Sequence, residues 1–371
     1  MIVRTIKKNR KLITKGHLIF VLSFFIFVIN HGCYRIQKNQ AVSDFSGSRG
    51  QEAEPAGKVF GPQIALFPFE NFSEDTRATE KIMPLVQDKL ESEGFSVLDE
   101  ATLERFLVKG RVRSTGYISS EMARKIGKEL NVEAVLVGSI NTYYSGKNPM
   151  AGFSARLINT SDGDITWANH AAATGNDFTG LLGLGTVSDV VKLSVKMIDK
   201  LFDSFSILPP FKERESTYRI AVMPFKNESD IKGAGMIATY MFITELFKTR
   251  IFEPISYGDV RDLVVALRVR SKGELDFTNI GSIEESSGVD GILVGTVEHY
   301  AEDEGSVPPL AIISARLIDA RTERILWYDS YQYRGDDGIS IIDWGRLRSA
   351  ENVASVVVSK LVKEMSKAKW Q

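Results

Sequence analysis

The chain has 371 residues, 43% hydrophobic and 25% charged, with 46 Lys/Arg against 47 Asp/Glu and a formal net charge of −1. That length allows two domains, each of which, at about 150 residues, can bury roughly 70% of its unfolded surface without staples. One cysteine excludes intrachain disulfides, thiolate zinc clusters and CxxC redox pairs, and the charge balance argues against a nucleic-acid partner, which would demand a basic face with interleaved aromatics.

The charge is unevenly spread. Residues 1–32 hold six Lys/Arg (Arg4, Lys7, Lys8, Arg10, Lys11, Lys15) and no acid; without them 40 basic residues face 47 acidic ones, a net charge of −7. This basic start leads into an apolar run of twelve residues, 18–29 (LIFVLSFFIFVI), and then Asn30-His31-Gly32-Cys33. The order is that of an export signal, and the run is shorter than the about 20 residues a spanning helix takes. Gly32 directly before the sole cysteine resembles the bacterial lipobox, in which the signal is cut and the cysteine becomes the lipidated first residue. Asn30 and His31 depart from that pattern's aliphatic and small positions. The expectation is a lipoprotein-type signal over 1–32 and lipid on Cys33, with Tyr34, where enterobacterial lipoproteins retained inside carry Asp, pointing to the outer membrane. Residues 33–58, rich in Gln, Ser, Gly, Asn and Glu, lack an apolar run and are expected to form a flexible tether of roughly 25 to 30 Å mean reach.

The first folded unit then opens. Residues 63–69 are a short apolar run ended by Pro68, expected as a buried strand. Ile82, Leu85, Val86 and Leu90 recur at helical spacing, with Pro84 hinting at a late start or a kink. Gly94 closes this helix and residues 95–98 give a second strand. Leu103, Phe106 and Leu107 mark a second helix, RVRSTG a loop, and Ser120 a cap for a third helix carrying Met122, Ala123, Ile126 and Leu130. Residues 134–140 read as a buried strand, Phe153, Ala155 and Leu157 alternate in the next, and Ile165 and Trp167 mark another after the turn Ser161-Asp162-Gly163. Val187, Val190, Val191, Ser194, Ile198, Leu201 and Phe202 form a long closing helix.

All of this recurs. IALFPFEN at 64–71 answers IAVMPFKN at 220–227, RVRS stands at 111 and 268, VEAVLVGSI at 132 answers VDGILVGTV at 289, SARLI stands at 154 and 314, and Trp167 answers Trp327. The spacing drifts only from 156 to 160, a period far longer than a solenoid repeat, so each copy is expected to be a domain: 59–206 and 218–371, joined by a charged, Pro-bearing linker at 207–217. In the second copy Ile237, Met241, Leu246 and Phe247 mark the first helix, and the last, from about Leu347 to Met365, turns Val357, Val358, Leu361 and Met365 inward. The expected fold class is α/β: two tandem mixed-sheet sandwiches, each closed by a long C-terminal helix.

IAVMPFKN opening a domain, GVDGILVGTV after an amphipathic helix, and ISARLIDARTERILW together resemble the anticodon-binding-like α/β domain of bacterial envelope proteins, among them CsgG, LpoB and the amino-terminal domain of TolB. The resemblance covers both copies. It implies a periplasmic, non-enzymatic module that binds another envelope protein, with no cofactor and no nucleic acid.

Residues bearing chemistry are sparse. His170 and His299 lack the second histidine of a zinc helix; Glu302 and Asp303 follow the latter in an expected turn. GLLGLG at 180–185 lacks the spacing of a phosphate loop, and Asp336, Asp337 and Asp343 lack the alternation of a calcium loop. Arg156 and Arg316, on the faces opposite the apolar alternation, are expected in cross-strand ion pairs. Arg111, Arg113, Arg268 and Arg270 of the two RVRS loops are the candidate partner-binding residues, since guanidinium forks suit an acidic partner or an anionic glycan or lipid; pairing with Glu100 and Glu274 is the alternative. Three functions stay open: a lipid-tethered partner-binding protein, a CsgG-like outer-membrane secretion or assembly channel component, and an enzyme whose site is not legible.

Overall fold

The first apolar run becomes β1 (Gln63–Leu66) in the computed structural model, which describes residues 61–112, 116–179, 185–205, 218–266, 280–303, 305, 307–339 and 345–370. The expected signal, tether and linker lie outside these residues. Pro68 has no N–H to give to a ladder and separates β1 from a two-residue continuation, β2 (Glu70–Asn71), that the sequence did not announce. Both pair in parallel with β4 (Ala134–Tyr144). Between them come α1 (Ala78–Ser92), β3 (Ser96–Val97), α2 (Glu100–Gly110) and α3 (Ser120–Leu130). Pro84 sits inside α1 without delaying its start, and Asp99 and Ser119 cap α2 and α3 by accepting the amides of Thr102 and Met122. β4, β5 (Met150–Asn159) and β6 (Ile165–Thr174) form an antiparallel meander, and α4 (Val190–Phe202) closes the unit.

The second repeat runs β7 (Tyr218–Val222), β8 (Lys226–Asn227), α5 (Ala234–Thr249), β9 (Phe252–Pro254), α6 (Tyr257–Ala266), α7 (Ile280–Ser287), β10 (Gly291–Ala301), β11 (Leu310–Asp319), β12 (Ile325–Arg334) and α8 (Ala350–Met365). Its strand order, β9-β7-β10-β11-β12, matches β3-β1-β4-β5-β6 element for element. Even the irregularity is shared: the register breaks between Ile140 and Thr142 in one copy and between Val297 and His299 in the other. The fold is thus the expected pair of mixed α/β sheets, each closed by a long helix.

How the two copies are covered differs. In the first repeat one sheet face packs under α1 and α4, where Ile64, Leu136, Phe153 and Trp167 meet Ile82, Val86, Leu193 and Leu201. Trp167 stacks on Phe202 at 5.4 Å and stands edge-on to Phe205 at 4.9 Å. α1 buries a single stripe, Ala78, Ile82, Val86 and Leu90. Its counterpart α5 buries every residue from Ile237 to Thr244. A helix apolar all round must be covered all round. α5 and α8 lie on one face of the second sheet and, on their far side, reach β6 of the first, α5 touching β5 as well. One continuous core results, to which Ala65, Phe67, Val135, Val137 and Ala168 of the first repeat and Ile237, Met241, Val357 and Leu361 of the second all belong. The layers are α1 with α4, the first sheet, α5 with α8, and the second sheet.

Residues Lys58–Gln371 accordingly cluster as one compact unit. The domain expectation meets this shared core: splitting the chain between the repeats would bare both the far side of α5 and the far face of the first sheet. We expect residues 218–371 expressed alone to self-associate or precipitate, and the whole chain to unfold in one transition, with near- and far-ultraviolet circular dichroism curves superimposed. Two resolved thermal transitions, or a soluble monomeric second repeat, would show independent cores instead.

Candidate functional site

Of the residues singled out in the sequence, Cys33, Arg113, Arg268, Arg270, Glu274, Asp343 and residues 180–184 lie outside the described residues. Arg111 is exposed and ends α2 in a left-handed conformation (φ 52°), without an ion pair among the described residues. Asp336 and Asp337 serve the turn after β12, the first 3.4 Å from the Arg334 guanidinium and the second accepting the Arg334 amide at 2.7 Å. One expectation needs correction. Arg156 forms no cross-strand ion pair among the described residues: it is fully buried and faces α5. Glu302, in the turn after β10, accepts the Ala350 N–H at the start of α8 at 2.8 Å.

What the structure brings together is a buried polar lane on the far face of the first sheet, filled from α5 and α8. The shared bulge matters here. Asn141 shares a face with Ser139 and Ser154 by ordinary alternation, and the residue inserted into β4 brings Thr142 onto that face as well; there Ser139 Oγ donates to Asn141 Oδ1 at 2.7 Å and Asn141 Nδ2 donates to Ser154 Oγ at 2.8 Å. Glu351, in the first turn of α8, completes the group: its carboxylate accepts from Asn141 Nδ2 at 2.6 Å and from Thr142 Oγ1 at 3.1 Å. Gly152 makes the room, since a Cβ there would run into the Glu351 carboxylate. The second repeat has Ile312 at this place, Tyr328 where the first has Ala168, and Gln332 where it has Ala172. At these three positions the small residues belong to the covered sheet.

Further along the lane Arg156 Nη2 donates to the Gly116 carbonyl at 2.8 Å, while its guanidinium carbon lies 3.8 Å from the centre of the Tyr240 ring. Tyr240 in turn donates to Glu70 Oε2 at 3.0 Å. Nη1 of Arg156 has no hydrogen-bond partner among the described residues. Burial raises the Glu70 pKa, opposed by the Tyr240 hydrogen bond and by the charges of Arg156 and Arg261. His170 Nε2 lies 3.3 Å from Glu245 Oε1; burial works against that carboxylate, but the His170 and Lys248 interactions outweigh it and bring its pKa to about 2. At the rim, Asp259 of α6 accepts the Ser120 amide at 2.8 Å and so caps α3 of the other repeat, Ser256 Oγ donates to the Ile118 carbonyl, and Tyr117 and Tyr257 meet edge-on at 5.2 Å.

Beside the lane, between α4 and α8, opens a groove of about 750 Å³ whose lining includes Ala172, Ala173, Phe178, Lys196, Lys200 and Ser355. Sequence reasoning missed both the lane and the groove. The signals were there: α5 is apolar on every side, and Glu351 stands in an otherwise apolar helix.

Glu351 is the lane's titratable centre. Burial pushes its pKa up to about 8 against the hydrogen bonds from Asn141 and Thr142, with the Glu302 charge adding to the rise; the buried Tyr300 hydroxyl also faces these two carboxylates. With the folded value above the ordinary 4.5, the folded state keeps a proton that the unfolded state releases from pH 4.5 to about 8. Stability therefore falls as pH rises through that window, by roughly 1.4 kcal/mol per pH unit from this group. Glu351→Gln is expected to flatten the slope and to leave the protein more stable than native at pH 8, as read by urea unfolding across the window; an unchanged slope would contradict the assignment.

No protein-family model matches the chain, and no curated protein sequence matches it. Solved structures do. The PelC dodecamer of Paraburkholderia phytofirmans matches at 18% identity over 39% of this chain and 85% of that one, with a TM-score of 0.27. Lipoprotein GNA1162 of Neisseria meningitidis matches at 18% identity over 39% of this chain and 100% of that one, with a TM-score of 0.29. The C-terminal domain of LpoB from Salmonella enterica matches at 12% identity over 36% of this chain and 90% of that one, with a TM-score of 0.27.

Proposed function

We propose that the chain is a non-enzymatic lipoprotein of the bacterial envelope, anchored through lipid on Cys33, whose two-repeat body binds another envelope protein as scaffold, assembly factor or activator. The observation that carries the reading is the use made of the buried polar groups: Tyr240 bonds to Glu70 and lies against Arg156, and Glu351 bonds to Asn141, across the seam rather than converging on a cavity. They fix two repeats as one rigid platform. The address comes from the basic start, the apolar run and Gly32-Cys33, followed by a polar stretch long enough to hold the body off a membrane. We place that membrane as the outer one, with the body facing the periplasm.

The channel reading fares less well against the same geometry. β4, β5, β10 and β11 have 10 or 11 residues each, a length that spans an outer membrane. But β4 and β5 are buried along nearly their whole length, and the β10–β11 connection carries Glu302 and Asp303, costly at hydrocarbon depth.

Two measurements test the proposal. Clickable palmitate should label the native chain and not Cys33→Ala; equal labelling of both would remove the anchor. Purified protein should give no conductance in planar bilayers, and discrete, reproducible single-channel steps would put the channel first.

A further inference from the structure

The groove between α4 and α8 is floored by the edge of a sheet. β6 is the last strand of the first sheet, and Ala172 and Ala173 both line the groove. Neighbouring strand residues point to opposite faces, and these two do: Ala173 packs in the core under α4, and Ala172 is on the face turned to α5 and α8. What the groove reaches at both positions is therefore the strand's edge.

The hydrogen-bond phase shows which groups are free there. The Gly175 amide donates to the Pro149 carbonyl at 2.8 Å, and Thr174 lies opposite Met150. Hydrogen-bonded and non-bonded pairs alternate in an antiparallel ladder, so Ala171 and Ala173 bond to β5 while His170, Ala172 and Thr174 turn N–H and C=O outward. Thr174 confirms the phase, because its amide donates to Asp177 Oδ2 at 2.7 Å, away from β5. No described residue takes the amide or carbonyl of Ala172. β12, the matching edge of the second sheet, is not enclosed in this way: Tyr328 on it is 65% exposed.

The walls differ in chemistry. Three carboxylates line the groove: Asp199 is held by Lys89 at 3.1 Å, Asp177 lies 3.8 Å from Arg348, and Asp203 stands at the end of α4, three residues beyond Lys200. Lys196 and Lys200, one helical turn apart, have no carboxylate partner among the described residues, and Lys196 lies over the Phe178 ring at 5.2 Å. The α8 side offers Asn352, Ser355 and Val356. The volume falls within the about 300 to 1,000 Å³ of ligand clefts.

We infer that this groove binds an extended segment of a partner protein, which adds to β6 as a further strand and turns acidic side chains, at alternate positions, toward Lys196 and Lys200, and uncharged ones toward α8. Main-chain bonding to Ala172 supplies the pairing, and the lysines select the sequence. The inference rests on the protein-binding reading but not on the lipid anchor, so its failure would leave the Cys33 labelling result standing.

The test uses the full chain in detergent micelles and a fluorescein-labelled heptapeptide alternating threonine with glutamate, beside a counterpart with lysine for glutamate. The glutamate peptide should bind and the lysine peptide should not, and binding should slow hydrogen exchange at the Ala172 amide. Ala172→Pro removes the outward donor at an edge position that tolerates proline, and should weaken binding about tenfold, the worth of one main-chain hydrogen bond. Lys196→Glu with Lys200→Glu, both at exposed positions, should abolish it without touching the core, whereas Gln332→Pro on β12 should leave it intact. Absence of binding at millimolar peptide, equal affinity of the two peptides, or an equal loss in Gln332→Pro would overturn the assignment.

Discussion

A helix layer apolar on both sides has to be covered on both sides, and α5 imposes that demand on the whole chain. Ile237 to Thr244 form an unbroken buried run, so the second repeat cannot present this helix to water as the first presents the charged outer side of α1. The first sheet supplies the missing cover. From that one requirement follow the shared core, the small residues on the far face of the first sheet, and the conversion of two similar sandwiches into one body of stacked layers.

Apolar contact alone would let α5 and α8 slide along the sheet. The polar lane opposes that. Arg156, Glu70 and Glu351 are costly to bury, and polar groups so placed add little net stability against a well-packed apolar alternative, yet a group left without its hydrogen-bond partner costs about 1 to 3 kcal/mol. Any shifted docking would strand them in the same way: Glu351 fits only in the notch left by Gly152, and Tyr240 only between Arg156 and Glu70. The lane thus penalises wrong registers more than it strengthens the right one. Asp259 capping α3 from the other repeat applies the same logic at the rim, since an uncapped helix start is an unsatisfied amide.

The strands and helices were legible because their signals are local. Alternation in Phe153, Ala155 and Leu157, helical spacing in Ile82, Val86 and Leu90, and the recurrence of SARLI each depend on a few neighbouring residues, and the topology followed from their order. Two-residue strands such as Glu70–Asn71 leave no period to read. The candidate site was less accessible for a different reason. Arg156 alternates out of an apolar strand as a solvent-facing residue would, and only the opposite repeat makes its face an interior; Glu302 sits in a charged turn whose use as a cap depends on α8, some fifty residues away. Pairing across a seam has no sequence period.

Comparing the copies against each other does carry that information, because they share a topology but not an environment. Where both environments agree, the residues agree: the buried Ala155, Leu157 and Ile158 answer the buried Ala315, Leu317 and Ile318. Where one copy is covered and the other is open, they part. Gly152, Ala168 and Ala172 become Ile312, Tyr328 and Gln332, and the exposed Val191 of α4 becomes the buried Glu351 of α8. The same asymmetry reaches the strand edges. β6 and β12 share a hydrogen-bond phase, set by Gly175 bonding to Pro149 in one and Gly335 to Pro309 in the other, but only β6 has a helix on each of its faces, one from each repeat. Stacking the repeats encloses that edge between two walls, whereas either repeat by itself supplies at most one of them.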